Sequence, residues 1–404
     1  MNGALWEYIL EGWLKTVRQI TREQADASPQ GLLWLPAPYT VPCAEHTFQC
    51  LFYWDTYFAN LGLMRSRQSG MAKNNIRNFI YLIDTYGYIP NGSRKKYLTR
   101  SQPPFFGMML RDYLQRNDDP ALEREGIRAL KKELLFWNTE RLAPNGLNHY
   151  SCHGDRDFYL QSLRSYEKRT GILRAGDREY LGKNAYAEAE SGWDFCGRFQ
   201  GRCYEYNPVD LNALLWFDEA YLAEKTEGDE RLRYAAAAEE RRRKMVTLMQ
   251  ADDGVFYDYS YVTGTRGKLK SCAAFYPLFT GMTDGDEGVD ALLSALELPY
   301  GLQASEPTDG HFQWGAENGW GCLQEIACEG LLHCGRQADA ERIAGKYTAL
   351  VESCFERTGH LWEKYNVRTG TQDAVAEYGT PQMLGWTAGV YQKLITDFGN
   401  GTRR

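Results

Sequence analysis

Apolar residues recur at helical spacing along most of the chain. Over 120–140, Ile127, Leu130, Leu134, Leu135 and Trp137 approximate one helix face, with Arg and Lys between them. After Asp210, a broad apolar face carries Leu211, Leu214, Leu215, Phe217, Ala220 and Leu222. The same reading predicts helices over 2–24, 55–67, 72–86, 104–116, 210–225, 228–250, 285–297, 321–334, 337–355 and 382–396. Asn145-Gly146, Asp253-Gly254, Asp284-Gly285 and Thr358-Gly359 mark turns. Short aromatic strand-like pieces such as Val255 to Tyr261 fall in loops. No run of βαβ units, G-x-G-x-x-G or P-loop is present. The expectation is an all-α fold. About a dozen helices in 404 residues suit a toroid of helix hairpins, and no linker or composition break divides 1–404 into more than one domain.

Composition changes the picture at one point. Eleven Trp and 27 Tyr supply many flat amphipathic faces. Sugar sites use such faces, because a pyranose presents C–H groups on one side and hydroxyls at its rim. A large core edged with Tyr accounts for the same numbers. The net charge of −7 argues against a nucleic-acid partner. The basic run Arg241-Arg242-Arg243-Lys244 follows an Ala- and Glu-rich helical stretch and reads as a solvated face. No apolar run approaches membrane-spanning length, so no membrane partner is expected. Ten cysteines include no C-x-x-C pair, which gives no sign of a structural zinc site. Residues 1–20 carry Glu7, Glu11, Lys15 and Arg18, unlike a secretory signal. Reduced, mostly buried thiols in a cytoplasmic protein are therefore expected.

Five loop segments cluster Trp, Asp, Glu, Asn, Arg and Gln: 52–58, 89–104, 190–195, 313–320 and 377–387. Loops on a rigid scaffold are where function concentrates. Cleaving a glycosidic bond needs one acid to protonate the leaving oxygen, and a second carboxylate to activate water or attack the anomeric carbon. Asp194 sits between Trp193 and Phe195, surroundings that raise a carboxyl pKa. Glu377 follows Ala374-Val375-Ala376 and precedes a Gly- and Trp-bearing loop. Each residue alone also reads as a hydrogen-bonded structural group. Asp55 equally reads as a helix cap.

Taken together, the segments resemble the trehalase family of glycoside hydrolases from about Pro42 onward. The YYWDSYW-like segment of that family stands here as FYWDTYF, and IPNG followed by R-SQPP stands as IPNGSR and RSQPP. ESGWDFS-RW appears as ESGWDFCGRF, PVDLNA spans Pro208 to Ala213, and QWD-PNGW appears as QWGAENGW. The closing EY is Glu377-Tyr378, with Gly385-Trp386-Thr387 starting eight residues after the Glu. The resemblance implies an (α/α)6 barrel and inverting hydrolysis of a small α-glucoside, trehalose-like, with no metal or organic cofactor. It implies Asp194 as general acid and Glu377 as general base. Tyr53, Trp54, Asp55, Asn91, Arg100, Gln102, Glu190, Trp193, Asn212, Trp314, Asn318, Trp320 and Trp386 are the expected substrate-binding residues.

Three departures bear on the substrate. The family's PGGRF places an Arg where Thr47 stands in Cys43 to Phe48, and its RPESY-type segment is poorly matched by Ser162 to Tyr166. The Asp of QWD is Gly315. Lost polar grips on hydroxyls alter specificity more than mechanism. Glucosylglycerate and mannosylglycerate hydrolases share a similar barrel and are the competing substrate class. A sugar phosphorylase and a non-catalytic sugar-binding relative are the other readings.

Overall fold

The computed structural model describes residues 2–310, 312–375, 379–382 and 384–399. Fifteen α-helices lie among them. The first five are α1 (Gly3–Lys15), α2 (Arg22–Asp26), α3 (Tyr53–Arg65), α4 (Ser69–Tyr86) and α5 (Phe106–Leu114). Next come α6 (Pro120–Glu140), α7 (Arg156–Thr170), α8 (Arg178–Glu190), α9 (Val209–Lys225) and α10 (Gly228–Met249). The last five are α11 (Tyr276–Phe279), α12 (Val289–Leu296), α13 (Gly321–His333), α14 (Gln337–Thr358) and α15 (Gly385–Phe398).

Six of these close a ring. In the order α3, α5, α9, α11, α13, α15, each helix packs on the next, and α15 returns to α3. The ring helices are buried almost all round. In α3 every residue from Tyr53 to Leu63 is buried, as expected of a helix with apolar and small residues on all faces. The outer layer is amphipathic instead: α14 buries Ile343, Tyr347, Leu350, Val351 and Cys354 along one face. α4, α6 and α10 pack behind the ring in the same way. The result is the (α/α)6 barrel that the sequence implied. The seam between α3 and α15 is backbone against backbone. A Cβ on Gly62 would stand 2.6 Å from Gly389 Cα, and one on Gly389 would stand 2.0 Å from the Phe58 carbonyl oxygen. Only glycine permits that approach.

The predicted helix 2–24 divides in two. α1 ends at Lys15, and Val17–Arg18 pairs antiparallel with Tyr39–Thr40. α2 then restarts behind Thr21, whose side chain and that of Gln24 form a reciprocal capping box. A larger difference is the α7–α8 hairpin, where no helix was expected. It stands outside the ring and has its own small core of Tyr166, Ala185, Phe195 and Phe312. Ser162 to Tyr166, compared above with a loop motif, lie inside α7.

Buried charges fasten the connections. Arg198 bonds Asp210 and Asp258. Arg241 bonds Glu219, Asn148 and Asn212. Glu190 ends α8 and accepts from Arg141 and from the Ser101 and Ser151 amides. No helix among the described residues is long and apolar enough to cross a membrane.

Candidate active site

One end of the ring opens into a cavity of about 520 Å³. All five aromatic segments contribute residues to it. The Tyr53 amide donates to the Asn91 carbonyl, and the Trp54 amide donates to Gln102 Oε1 at 3.2 Å. The Asn91 amide donates to the Arg100 carbonyl, closing the 89–104 loop on itself. Gln313 Nε2 donates to the Asp194 carbonyl at 2.7 Å, and Trp320 Nε1 donates to the Gln313 carbonyl. Asn318–Trp320 pairs antiparallel with Lys364–Asn366. That pairing brings in Glu363, whose carbonyl accepts from Trp386 Nε1.

The floor is aromatic. Trp314 and Trp320 stack with centroids 3.7 Å apart, and Trp54 and Trp386 pack on them at an angle. Asp55 and Glu363 are buried among these rings. The mouth is more polar. Lys96, Tyr97 and Arg100 line one side, and Gln161, Ser162, Ser165 and Arg169 of α7 line another. Asp194 lies between floor and mouth, with 33% of its side chain accessible and Arg169 Nη1 3.5 Å from its carboxylate.

Burial pushes the Asp55 carboxyl up to about 7, with repulsion from Glu363 and Asp194 adding to it. Among the described residues Asp55 forms no ion pair, and a backbone hydrogen bond offsets only part of that cost. The Asp194 carboxyl is also raised. Burial is the main cause, and Arg169 and Arg100 pull the other way. Perturbed carboxyls converging on one cavity mark a site of chemistry.

Of the expected residues, Trp54, Asp55, Asn91, Arg100, Gln102, Asp194, Trp314, Trp320 and Trp386 line the cavity. Five do not. Tyr53 points into the core and donates to Glu133. Trp193 is fully buried under the Arg198 guanidinium. Glu190 and Asn212 belong to the buried ties, and Asn318 clamps Gln313 to Val375. Glu377 lies outside the described residues. Gly315 and Thr47 are not among the lining residues. Glu363 and Arg169 are lining residues that sequence reasoning missed. The Glu363 signal was present: a carboxylate with Trp362 before it and Tyr365 two residues after, surroundings like those that singled out Asp194.

A closed (α/α)6 ring with a tryptophan floor and several carboxyls on one cavity has the makings of a glycoside hydrolase. The trehalase family profile matches residues 4–399. A periplasmic trehalase of Pseudomonas aeruginosa is 34% identical, over 100% of this chain and 78% of that protein. A periplasmic trehalase of Xanthomonas oryzae is also 34% identical, over 98% and 73%. The chain belongs to the trehalase family. Among solved structures, the neutral trehalase Nth1 of Saccharomyces cerevisiae superposes with a TM-score of 0.75 at 26% identity, over 89% of this chain and 73% of that one. A mannosylglycerate hydrolase of Thermus thermophilus shares the fold, with a TM-score of 0.62 at 18% identity, over 97% and 100%.

The cytoplasmic placement expected from the cysteines is overturned by these relatives, which are named periplasmic trehalases. The thiols explain the error. All ten are free and nine are buried, and burial pushes Cys43, Cys50 and Cys152 up to about 12. A protonated thiol packed in a core behaves as a small apolar group. Its count does not report the redox state of the compartment.

Proposed function

We propose that this chain hydrolyses α,α-trehalose or a closely similar small α-glucoside with inversion, its barrel acting as a single catalytic domain. The observation that carries this reading is the Asp194 carboxyl, held with a raised pKa between a tryptophan floor and an open mouth, in a chain of the trehalase family. One glucosyl ring lies on the floor. Trp54, Trp314, Trp320 and Trp386 cover its C–H face, and Asp55, Asn91 and Gln102 take its hydroxyls. Asp194 gives its proton to the glycosidic oxygen as the C–O bond breaks. Glu377 takes a proton from water, and that water's oxygen bonds the anomeric carbon from the opposite face. The leaving sugar exits through the mouth. Overall one water is consumed, and exchange with solvent resets both carboxyls.

Proton NMR of the first turnovers on α,α-trehalose tests this. Inversion releases one β-glucose and one α-glucose before mutarotation mixes them. Release of α-glucose alone would refute inversion. Cleavage that depends on added phosphate would move the chain to the phosphorylases.

A further inference from the structure

Tyr53 stands in the same motif as Trp54 and Asp55 but turns away from the cavity and touches no substrate. Its hydroxyl is nonetheless shared by three elements. It donates to Glu133 Oε1 of α6 at 2.7 Å and accepts from the Phe106 amide at 3.0 Å. Tyr53 is the first residue of α3, and Phe106 the first of α5. One oxygen thus ties the starts of two ring helices to each other and to the layer behind them. The Phe106 amide is among those that a helix start leaves without an internal partner. Asp218 of α9 leaves no room for a Cβ on the next residue, Gly107, so the first turn of α5 is held from a second side. Glu133 is fully buried, and among the described residues no cation pairs with it. Burial pushes its carboxyl up to about 8, and the Tyr53 hydrogen bond works against that rise.

These helix starts carry the floor. Trp54 and Asp55 follow Tyr53 directly, and the Trp54 amide is fixed to Gln102, just before α5. Phe105 packs on Trp54, Tyr57 and Phe58. Asp194 reaches the cavity by a different route, through the loop tied to Gln313. The placing of the floor against the acid therefore depends on where α3 begins. Burying a carboxyl for one phenol contact is expensive, and an apolar residue at 133 would pack α6 at less cost. We infer that Tyr53 and Glu133 are positioning residues for the hydrolysis: through the Tyr53 hydroxyl they set the height of Trp54 and Asp55 in the floor relative to Asp194. This rests on the reading that the floor holds the sugar while Asp194 protonates its glycosidic oxygen. Reaction geometry tolerates little error, since a displacement of about 1 Å costs on the order of 10²-fold in rate. Ground-state binding tolerates more, because Trp314, Trp320 and Trp386 still cover the ring.

Three variants of the whole protein test this. Tyr53→Phe removes the shared oxygen and keeps the ring. Glu133→Leu removes the acceptor, whereas Glu133→Gln keeps an acceptor oxygen for the Tyr53 hydroxyl. The measurements are made well below each Tm and corrected for the folded fraction. On α,α-trehalose, kcat should fall by about tenfold or more in Tyr53→Phe and Glu133→Leu, while KM and the calorimetric Kd of 1-deoxynojirimycin, a glucose-shaped imino sugar, move by less than about threefold. Glu133→Gln should keep kcat within about twofold of wild type. Tyr53→Phe combined with Glu133→Leu should lose little more than either alone, since both break one tie. A purely structural tie lowers Tm and leaves kcat of the folded protein unchanged, and that result overturns the proposal. So does an equal loss in Glu133→Gln and Glu133→Leu. Near-UV circular dichroism of the stacked tryptophans reads the floor without turnover. Its tryptophan bands should change in Tyr53→Phe and Glu133→Leu and stay as in wild type in Glu133→Gln. Wild-type protein that hydrolyses neither trehalose nor α-glucosyl fluoride defeats the hydrolase reading, and the dichroism alone then decides whether the tie sets the floor.

Discussion

Two groups of acidic side chains in this barrel are built differently. Asp210, Asp258, Glu219 and Glu190 are each met by a guanidinium, and Asp258 and Glu190 also by backbone amides. Asp55, by contrast, is buried with no guanidinium paired to it among the described residues, and Asp194 is one-third accessible with Arg169 3.5 Å from its carboxylate. The first set joins loop to helix. Its charges are paired, so burial leaves little reactivity. In the second set burial raises both carboxyls, as it also raises Asp258 despite its arginine. What sets the second group apart is its place on the cavity, since Asp218 and Glu133 are also buried with raised carboxyls but lie away from it.

The sharpest way to break the comparison is to remove the reactive proton. Asp194→Asn should lower hydrolysis of trehalose by about 10²–10⁴-fold. α-Glucosyl fluoride leaves without protonation and should lose far less. Equal losses on the two substrates would mean that Asp194 is not the acid. A structural tie should fail differently. Arg198→Met leaves Asp210 and Asp258 buried and unpaired, which costs about 3–5 kcal/mol. Denaturant unfolding reads that loss, and an unchanged midpoint would contradict the structural role.

Asp55 should show the reverse sign. Its folded pKa of about 7 lies above the ordinary carboxyl value. The folded state therefore holds the proton more tightly than the unfolded chain. The penalty is absent at acidic pH, begins as pH rises past the unfolded pKa near 4, and is complete above 7. Asp55→Asn should thus raise Tm by a few degrees at pH 8 and leave it nearly unchanged at pH 4, while activity falls. Loss of stability at pH 8 would place Asp55 among the ties. The smallest effect is expected at Arg169. It holds the Asp194 carboxyl down, so Arg169→Gln should move the basic limb of the kcat/KM profile to higher pH. A limb displaced to lower pH, or unmoved, would show that Arg169 does not act on that proton.

The same contrast explains what could be read from the chain. α6 was legible to the residue, 120–140, because Leu130, Leu134 and Trp137 repeat along its buried face and Asp119-Pro120 starts it cleanly. α7 was not. Leu163 and Tyr166 are its only buried residues, so no apolar period marks it, although Asp155 caps it. The tryptophans of the floor were legible because aromatics cluster near carboxylates in the sequence. Tyr53, Glu190 and Asn212 share those motifs but face away. A helix turns neighbours by about 100°, so Trp54 and Asp55 reach the cavity while Tyr53 faces Glu133. Motif membership brought the right segments together, and local geometry divided them between chemistry and support.

The ring closes without α7 and α8, and that pair packs around a small core of its own. The module lies outside the ring yet shares Phe195 and Phe312 with the site loops. Its far end is pinned by Glu190, while the residues that α7 presents to the mouth bear no load in the barrel. Drift or design in Gln161, Ser162 and Ser165 is thus free to retune which molecules are accepted, with the folding of the host left intact.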